Sequence, residues 1–203
     1  MQFVYNGFMN LKKIRSEAME EHIPVISDEG LEFLLSILRE HTFIQNILEI
    51  GTAVGTSSIA MAQVRWDMKI DTIEREEERY LQAAENIKEA GLEERIRVYN
   101  MDAMDFTPDT VYDLIFVDAA KSQYRRYMEH FLPYTRKGSY FFFDNLNFHG
   151  IVDDPERTGN RNTRQMVAKI RHFRDHLAED KRLETVFYNE KGDGIAVSRV
   201  IID

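Results

Sequence analysis

The chain is predicted to fold as a doubly wound α/β domain, a mostly parallel sheet with helices packed on it. From Asn46 onward, short apolar runs alternate with amphipathic stretches, the pattern of strand–helix units around a parallel sheet. The first apolar run opens through the glycine-bearing turn Gly51 to Gly55 into a helical stretch. The last two runs are joined only by Asn189 to Gly194, a turn-rich link that makes them an antiparallel hairpin at one edge.

Taken in order, the first forty or so residues read as helical. Leu11, Ile14, Ala18 and Met19 recur at helical spacing, and Pro24 is expected to end that element. Ser27 before Asp28 and Glu29 reads as a cap with acids in the first turn. The helix behind it carries Leu31, Phe33 to Leu35, Ile37 and Leu38. Ile47 to Ile50 is the first strand and Thr56 to Val64 the helix after it. Lys69 to Ile73 forms a second strand ending at Glu74, and Glu76 to Ala90 a helix stopped by Gly91. Strands follow at Ile96 to Tyr99 and Asp113 to Val117, then a helix from Tyr124 to Leu132 broken by Pro133. Gly138 to Phe143 is a fifth strand, and a polar loop leads to a helix from about Asn162 to Leu177. Thr185 to Tyr188 and Ile195 to Val200 finish the chain. No repeat, low-complexity tract or linker divides it, so residues 1–203 are expected to form a single domain, with 1–42 as a helical cover.

The 203 residues suffice for one sizeable core, and 43% hydrophobic with 30% charged residues is ordinary for a globular protein. With no cysteine, disulfides, thiolate metal sites and cysteine nucleophiles are excluded. The N-terminus has no cationic segment leading into an apolar stretch, and no apolar run approaches membrane-spanning length, so a cytoplasmic location is expected. A net charge of −9 argues against a generic nucleic-acid coat. The charge is uneven, however: Arg157, Arg161, Arg164, Lys169, Arg171 and Arg174 fall in a stretch without a single acid.

The chemistry is expected at the strand ends. Leu114 to Val117 runs into Asp118 with Lys121 close behind, and Tyr140 to Phe143 runs into Asp144 and Asn145. If both runs are parallel strands, two carboxylates and an amide oxygen converge on the edge where open α/β sheets bind ligands. Such a set suits a hard divalent cation such as Mg²⁺, with Lys121 as a candidate base. The turn Glu49-Ile-Gly51-Thr-Ala-Val-Gly55-Thr-Ser57 has the layout of a nucleotide-binding turn, Gly51 turning sharply and Gly55 allowing backbone close to a ligand. Its spacing is neither that of the dinucleotide fingerprint nor that of a P-loop, and an acid at its head disfavours pyrophosphate. Glu74, at the end of the second strand, is placed to accept from ribose hydroxyls. Acids at successive strand ends favour a cationic, ribose-bearing cofactor and point to S-adenosylmethionine.

Together, Glu49-x-Gly51-x-x-x-Gly55-x-Ser57, Glu74, Val117-Asp118-Ala119-x-Lys121 and Asp144-Asn145 resemble the cation-dependent O-methyltransferase family, which includes the catechol and caffeoyl-CoA enzymes. The match runs from about Pro24 to the C-terminus. It implies a Rossmann-like methyltransferase sheet. It also implies that Glu49, Gly51 and Ser57 hold the amino-acid part of S-adenosylmethionine, with Gly55 in the same loop. Glu74 would hold the ribose, Asp102 and Ala103 would flank the adenine, and Val25 would line the same pocket. Asp118, Asp144 and Asn145 would bind Mg²⁺, Asp118 also bordering the cofactor, and Lys121 would face the acceptor hydroxyl.

The acceptor is read from the segment after Asn145. Arg157, Arg161, Arg164, Arg171 and Arg174 near the mouth of the site could bind phosphates, which a small catechol would not need. With the His22-Ile-Pro-Val25 approach, this arrangement resembles the bacterial branch that methylates 5-hydroxyuridine in tRNA at the wobble position to 5-methoxyuridine. A small catechol-like or phenolic acceptor is the alternative, and a non-catalytic nucleotide-binding module a second. Phe148 could stack on a flipped base, and His149 is a lone loop histidine. Apolar Phe3, Phe8 and Met9 near the N-terminus could cover the site or form a homodimer contact, as in relatives of the family.

Overall fold

The computed structural model describes residues 2–148, 150–152 and 158–202, with side chains from residue 11 onward. His149, Arg157 and the side chains of Phe3, Phe8 and Met9 therefore lie outside the described residues. Two helices come first, α1 at Gln2–Glu20 and α2 at Asp28–Glu40. Strand–helix alternation follows: β1 Asn46–Ile50, α3 Thr56–Val64, β2 Lys69–Glu74, α4 Glu77–Glu89 and β3 Ile96–Asn100. The rest is β4 Tyr112–Val117, α5 Tyr124–Phe131, β5 Thr135–Phe143, α6 Arg161–Glu179, β6 Leu183–Tyr188 and β7 Ile195–Val200. Among the described residues no helix is long and apolar enough to cross a membrane.

Local chemistry explains most boundaries. Ser27 caps α2, its Oγ accepting from the Gly30 N–H at 3.1 Å, with Asp28 and Glu29 in the first turn where the helix dipole favours acids. In α1, Leu11, Ile14 and Ala18 are buried, but Met19 is 68% exposed. One residue on from Ala18 it is turned about 100° off the buried stripe. Pro24 does not end α1. His22 does, adopting a left-handed φ of 56° that lets the Ile23 N–H reach the Ala18 carbonyl at 2.8 Å. The fifth strand starts three residues earlier than its sequence suggests. Gly138 sits inside it at φ 92°, beside a register shift against β4, instead of opening it.

The described strands form one sheet in the order β3-β2-β1-β4-β5-β7-β6. The first five run parallel, and β7 is antiparallel to both β5 and β6. One apolar cluster packs α1, α2, α3 and α4 against Ile47, Ile70, Leu114, Phe116 and Phe142 on one face. On the other, α5 and α6 cover Leu48, Ile50, Ile115, Val117, Phe141 and Phe143. Alternation along each strand sends neighbouring residues to opposite faces, so the central strands are mostly apolar on both, with Glu49, Asp71, Thr72 and Asp113 as buried polar exceptions.

Strand order reverses between β1 and β4, the switch point at which a crevice opens beyond the carboxyl ends. Ile73, Ile50, Val117 and Phe143 pair at one level across β2, β1, β4 and β5. The next residues along these strands, Glu74, Gly51, Asp118 and Asp144, thus stand side by side on the edge.

At the far end of the sheet, Arg182 bridges α5, α6 and the approach to β6. Its guanidinium donates to Glu129 at 2.6 and 2.9 Å and to Asp180 at 2.6 Å. His176 Nε2 lies 3.4 Å from Glu129 and 3.5 Å from Asp180. These three side chains have the composition of a metal-ligand cluster, but Arg182 already supplies the cation.

Candidate active site

At the switch point β1 and β4 come together without room for a side chain. Gly51 has φ 100°, and a Cβ there would overlap the Asp118 carbonyl oxygen. The Asp118 N–H in turn donates to the Ile50 carbonyl at 3.0 Å, and the Gly51 N–H to that of Ile73 at 3.0 Å. These bonds carry the ladder one residue past the strand ends. They fix the floor of a cleft of about 390 Å³.

Most of the residues singled out from the sequence line this cleft: Val25, Gly51, Ser57, Glu74, Asp102, Ala103, Asp118, Lys121 and Asn145. Glu49, Gly55 and Asp144 do not line it. Strand alternation turns Glu49 toward α3, where it is fully buried. Ser57 and Ser58 donate to its two oxygens, and Thr72 donates at 2.6 Å. Burial outweighs these three hydroxyls and pushes its carboxyl up to about 7. Glu49 therefore meets the cleft indirectly, through Ser57 and through Thr72, whose hydroxyl is hydrogen-bonded to that of Thr52. Gly55 serves the fold: at φ 84° it caps α3, and it faces Ala83 of α4 with ordinary contact room for a Cβ.

Glu74 lines the cleft with both oxygens already accepting, from the Ala53 N–H at 2.9 Å and the Glu76 N–H at 3.0 Å. Its spare lone pairs remain for a ligand hydroxyl. The Ala53 bond also holds that residue at a left-handed φ of 48°. Asp102 caps the short turn Ala103–Asp105, accepting from the Met104 N–H at 2.9 Å. Thr52, Ala53, Met101, Tyr127, Arg75 and Arg79 also line the cleft, and sequence reasoning missed them. Thr52 and Ala53 were legible as the interior of the glycine turn. The other four had no local signal.

Behind the opposite side, at Asp118 and Asn145, lies a second buried acid. Asp144 is fully buried at the end of β5; its Oδ1 accepts from the Asn145 N–H at 2.7 Å, and its backbone carbonyl accepts from Tyr124 Oη at 2.9 Å. Its Oδ2 is buried and has no hydrogen-bond partner. Burial, reinforced by the charge of Asp118, pushes the Asp144 carboxyl up to about 7. Burial likewise raises Asp118, while Lys121 opposes the rise. Asn145 stands at φ 60°, a left-handed conformation that asparagine tolerates. Lys121, half-buried, opens the turn Lys121–Gln123 that leads into α5.

The arginines expected to meet phosphates are carried by α6. Phe173 packs edge-on to Phe143 at 4.9 Å and to Tyr124 at 5.8 Å, which sets it level with the carboxyl edge of the sheet. Arg161 lies twelve residues N-terminal to Phe173, about 18 Å along the helix at 1.5 Å per residue, with Val167 and Ile170 buried between them. Arg161 and Arg164 are exposed at the N-terminal end of α6. Arg171 and Arg174 are already engaged: Arg171 donates to the Val152 carbonyl and braces the loop after β5, and Arg174 donates to Asn147 at 3.3 Å and Asn189 at 3.0 Å.

Residues 5–201 match the family model described as O-methyltransferase. The chain belongs to the O-methyltransferase family. A flavonoid 3',5'-methyltransferase of Vitis vinifera is 31% identical over 213 residues, covering 93% of this chain and 86% of the relative. A Staphylococcus aureus protein described as a caffeoyl-CoA O-methyltransferase superposes with a TM-score of 0.89 at 32% identity, over 94% of this chain and 91% of that one. An O-methyltransferase from Bacillus cereus, solved in complex with SAH, is 25% identical with a TM-score of 0.81, over 95% and 90% of the two chains. This O-methyltransferase is an enzyme of the S-adenosylmethionine-dependent kind, and the resemblance read from its motifs holds at the level of the family.

The buried Glu49 gives the methyltransferase a pH signature. The native state holds its proton to about pH 7, whereas an unfolded chain releases it near 4.5. The stability contributed by the bound proton is therefore complete below about pH 4.5 and lost as pH rises toward 7. Glu49→Gln has no proton to lose, so it should gain on the native protein across that window by about 3 kcal/mol. Urea unfolding without ligand at pH 5 and pH 8 reads the difference, and parallel pH curves would show that Glu49 is ionised throughout.

Proposed function

We propose that this O-methyltransferase moves the methyl group of S-adenosylmethionine onto the 5-hydroxyl of a tRNA wobble uridine, with a divalent cation such as Mg²⁺ bound between Asp118, Asp144 and Asn145. The cleft chemistry supports the cofactor half. Gly51 and Ser57 would take the amino-acid end, Ser57 being oriented by the buried Glu49. Glu74 would accept from the ribose, Asp102 and Ala103 would border the adenine, and Val25 would close that side. Asp118 would border cofactor and cation alike.

The cation reading rests on Asp144. A carboxylate oxygen that is buried and unpartnered, close enough to Asp118 to feel its charge and followed in the chain by Asn145, belongs to a set of hard donors that would suit a divalent cation. When bound, the cation would supply the charge that stabilises an acceptor oxyanion and fixes its position. Lys121 would take the acceptor proton or face the resulting anion, and the floor at Gly51 would align the two substrates for in-line displacement.

The observation that carries the acceptor reading is the exposure of Arg161 and Arg164 at the start of α6, outside the cleft lining, where phosphates of a docked tRNA could lie. A uridine 5-hydroxyl beside its O4 carbonyl offers two adjacent oxygens, as a catechol does. The second reading, a small phenolic acceptor, is favoured by the flavonoid and caffeoyl-CoA names of the relatives. A tRNA acceptor would place the reaction in the cytoplasm. A homodimer is proposed through the sheet face on which Tyr140 and Val186 stand, where Phe43 is 46% and Val186 49% exposed.

Incubation with S-adenosylmethionine, Mg²⁺ and either hypomodified tRNA or a panel of catechols decides between acceptors. Methylated tRNA is expected, with binding that falls steeply with salt and weakens in Arg161→Ala and Arg164→Ala; transfer to catechols alone would sink the tRNA reading. Chelation with EDTA, or Asp144→Ala, should cut transfer on the order of a hundredfold or more while S-adenosylhomocysteine still binds. Undiminished turnover in EDTA would rule out the cation. Light scattering should give the mass of a dimer, and a concentration-independent monomer would remove that part of the proposal.

A further inference from the structure

Six residues between β6 and β7, 189–194, bond to two elements that adjoin the cleft, the start of α2 and the segment after β5. On the cofactor side, the Gly192 N–H donates to Glu29 at 3.2 Å and Lys191 Nζ lies 3.5 Å from the same carboxylate. Glu29 is in the first turn of α2, directly after the cleft-lining segment Pro24 to Ile26. On the acceptor side, the Leu146 N–H donates to the Gly194 carbonyl and the Asn147 N–H to that of Asp193, both at 2.8 Å. The chain leaving Asn145 is thereby stitched to the turn.

Asn147 is where these contacts concentrate. Its Nδ2 donates to the Asn189 carbonyl at 2.7 Å, and its Oδ1 accepts from Arg174 Nη1 at 3.3 Å. Arg174 Nη2 donates to Asn189 Oδ1 at 3.0 Å, and the guanidinium lies over the Phe187 ring at 5.6 Å. The Asn147 carbonyl accepts from the Val152 N–H at 3.1 Å, closing the loop. Gly194 stands at φ 80°, and a Cβ there would overlap the Asn147 carboxamide.

This lock begins two residues after Asn145, whose left-handed backbone needs surroundings that over-determine it. Asp144 is tied on its other side by Tyr124 and keeps one oxygen unpartnered. We propose that Asn147, held by Arg174 and the 189–194 turn, is a positioning residue that sets the geometry of Asp144 and Asn145 for their cation. The inference rests on the cation reading given above. Groups that orient metal ligands from behind commonly change metal affinity by about 10- to 100-fold when removed.

The test uses the full chain. Mn²⁺ binding is followed by the paramagnetic resonance of the free ion, S-adenosylhomocysteine binding without metal by calorimetry, and the thermal midpoint alongside. Asn147→Ala should weaken Mn²⁺ binding about tenfold or more, with S-adenosylhomocysteine affinity held within about twofold. Asn147→Asp keeps an oxygen for Arg174 and should fall between the two. Gly194→Ala, which leaves Asn147 in place but crowds its carboxamide, should move Mn²⁺ affinity in the same direction. If the native chain binds Mn²⁺ and Asn147→Ala binds it equally well, the positioning role is overturned and the cation reading stands. Parallel loss of both ligands with a lowered midpoint also overturns it, in favour of a general structural role. If the native chain takes up no Mn²⁺, the cation reading fails and carries this inference with it.

Discussion

The approach of β1 to β4 at their carboxyl ends constrains everything above it. Because the Asp118 carbonyl occupies the space a Cβ at residue 51 would fill, the two strands can close the switch point only with glycine there. Closure lets Gly51 and Asp118 extend the ladder past the strands, and that sets the level of Glu74 on one side and Asp144 on the other. Four consecutive strand ends thus form a straight row. Glu74, Gly51 and Asp118 of this row line the cleft, and Asp144 is buried beside them. Small displacements at residue 51 would be passed to all of them, since packed strands have little freedom to absorb strain.

Burial then separates two carboxyls that share the same upward push. Glu49 and Asp144 both sit near 7, yet their environments differ in kind. Glu49 has three hydroxyl donors and is internally satisfied, a brace that fixes the N-terminal turn of α3. Asp144 has one oxygen with no donor and a second acid as neighbour, the two features on which the proposed cation rests. The same contrast holds at the far end of the sheet, where Arg182 completes the acids around His176 from within the chain.

The legible parts of the molecule were those whose chemistry is local. The helix from Thr56 to Val64 is where its sequence indicates, because Gly55 at its head enforces the turn. The two strand endings converge as expected, because parallel strands of one sheet must end on one edge. What stayed hidden depends on partners far along the chain. Nothing near Glu49 shows that Thr72 would help to enclose it, and nothing near Arg171 that the Val152 carbonyl would engage it. Gly55 looked like a ligand-facing residue because the motif does not reveal that α4 packs behind it. At the end of α1, proline was the conspicuous breaker, whereas a left-handed histidine two residues earlier carries the cap.

The left-handed backbone at Asn145 restricts that position in two independent ways. Torsion angles admit glycine, asparagine and aspartate there with little strain, and few others. The proposed cation admits side chains that end in an oxygen donor. Glycine satisfies the first requirement and fails the second; glutamine and glutamate do the reverse. Only asparagine and aspartate meet both, and aspartate would set a third negative charge beside Asp118 and Asp144. The alphabet open to drift at residue 145 therefore shrinks nearly to one letter, with the backbone discarding most of the candidates before metal chemistry selects among the rest.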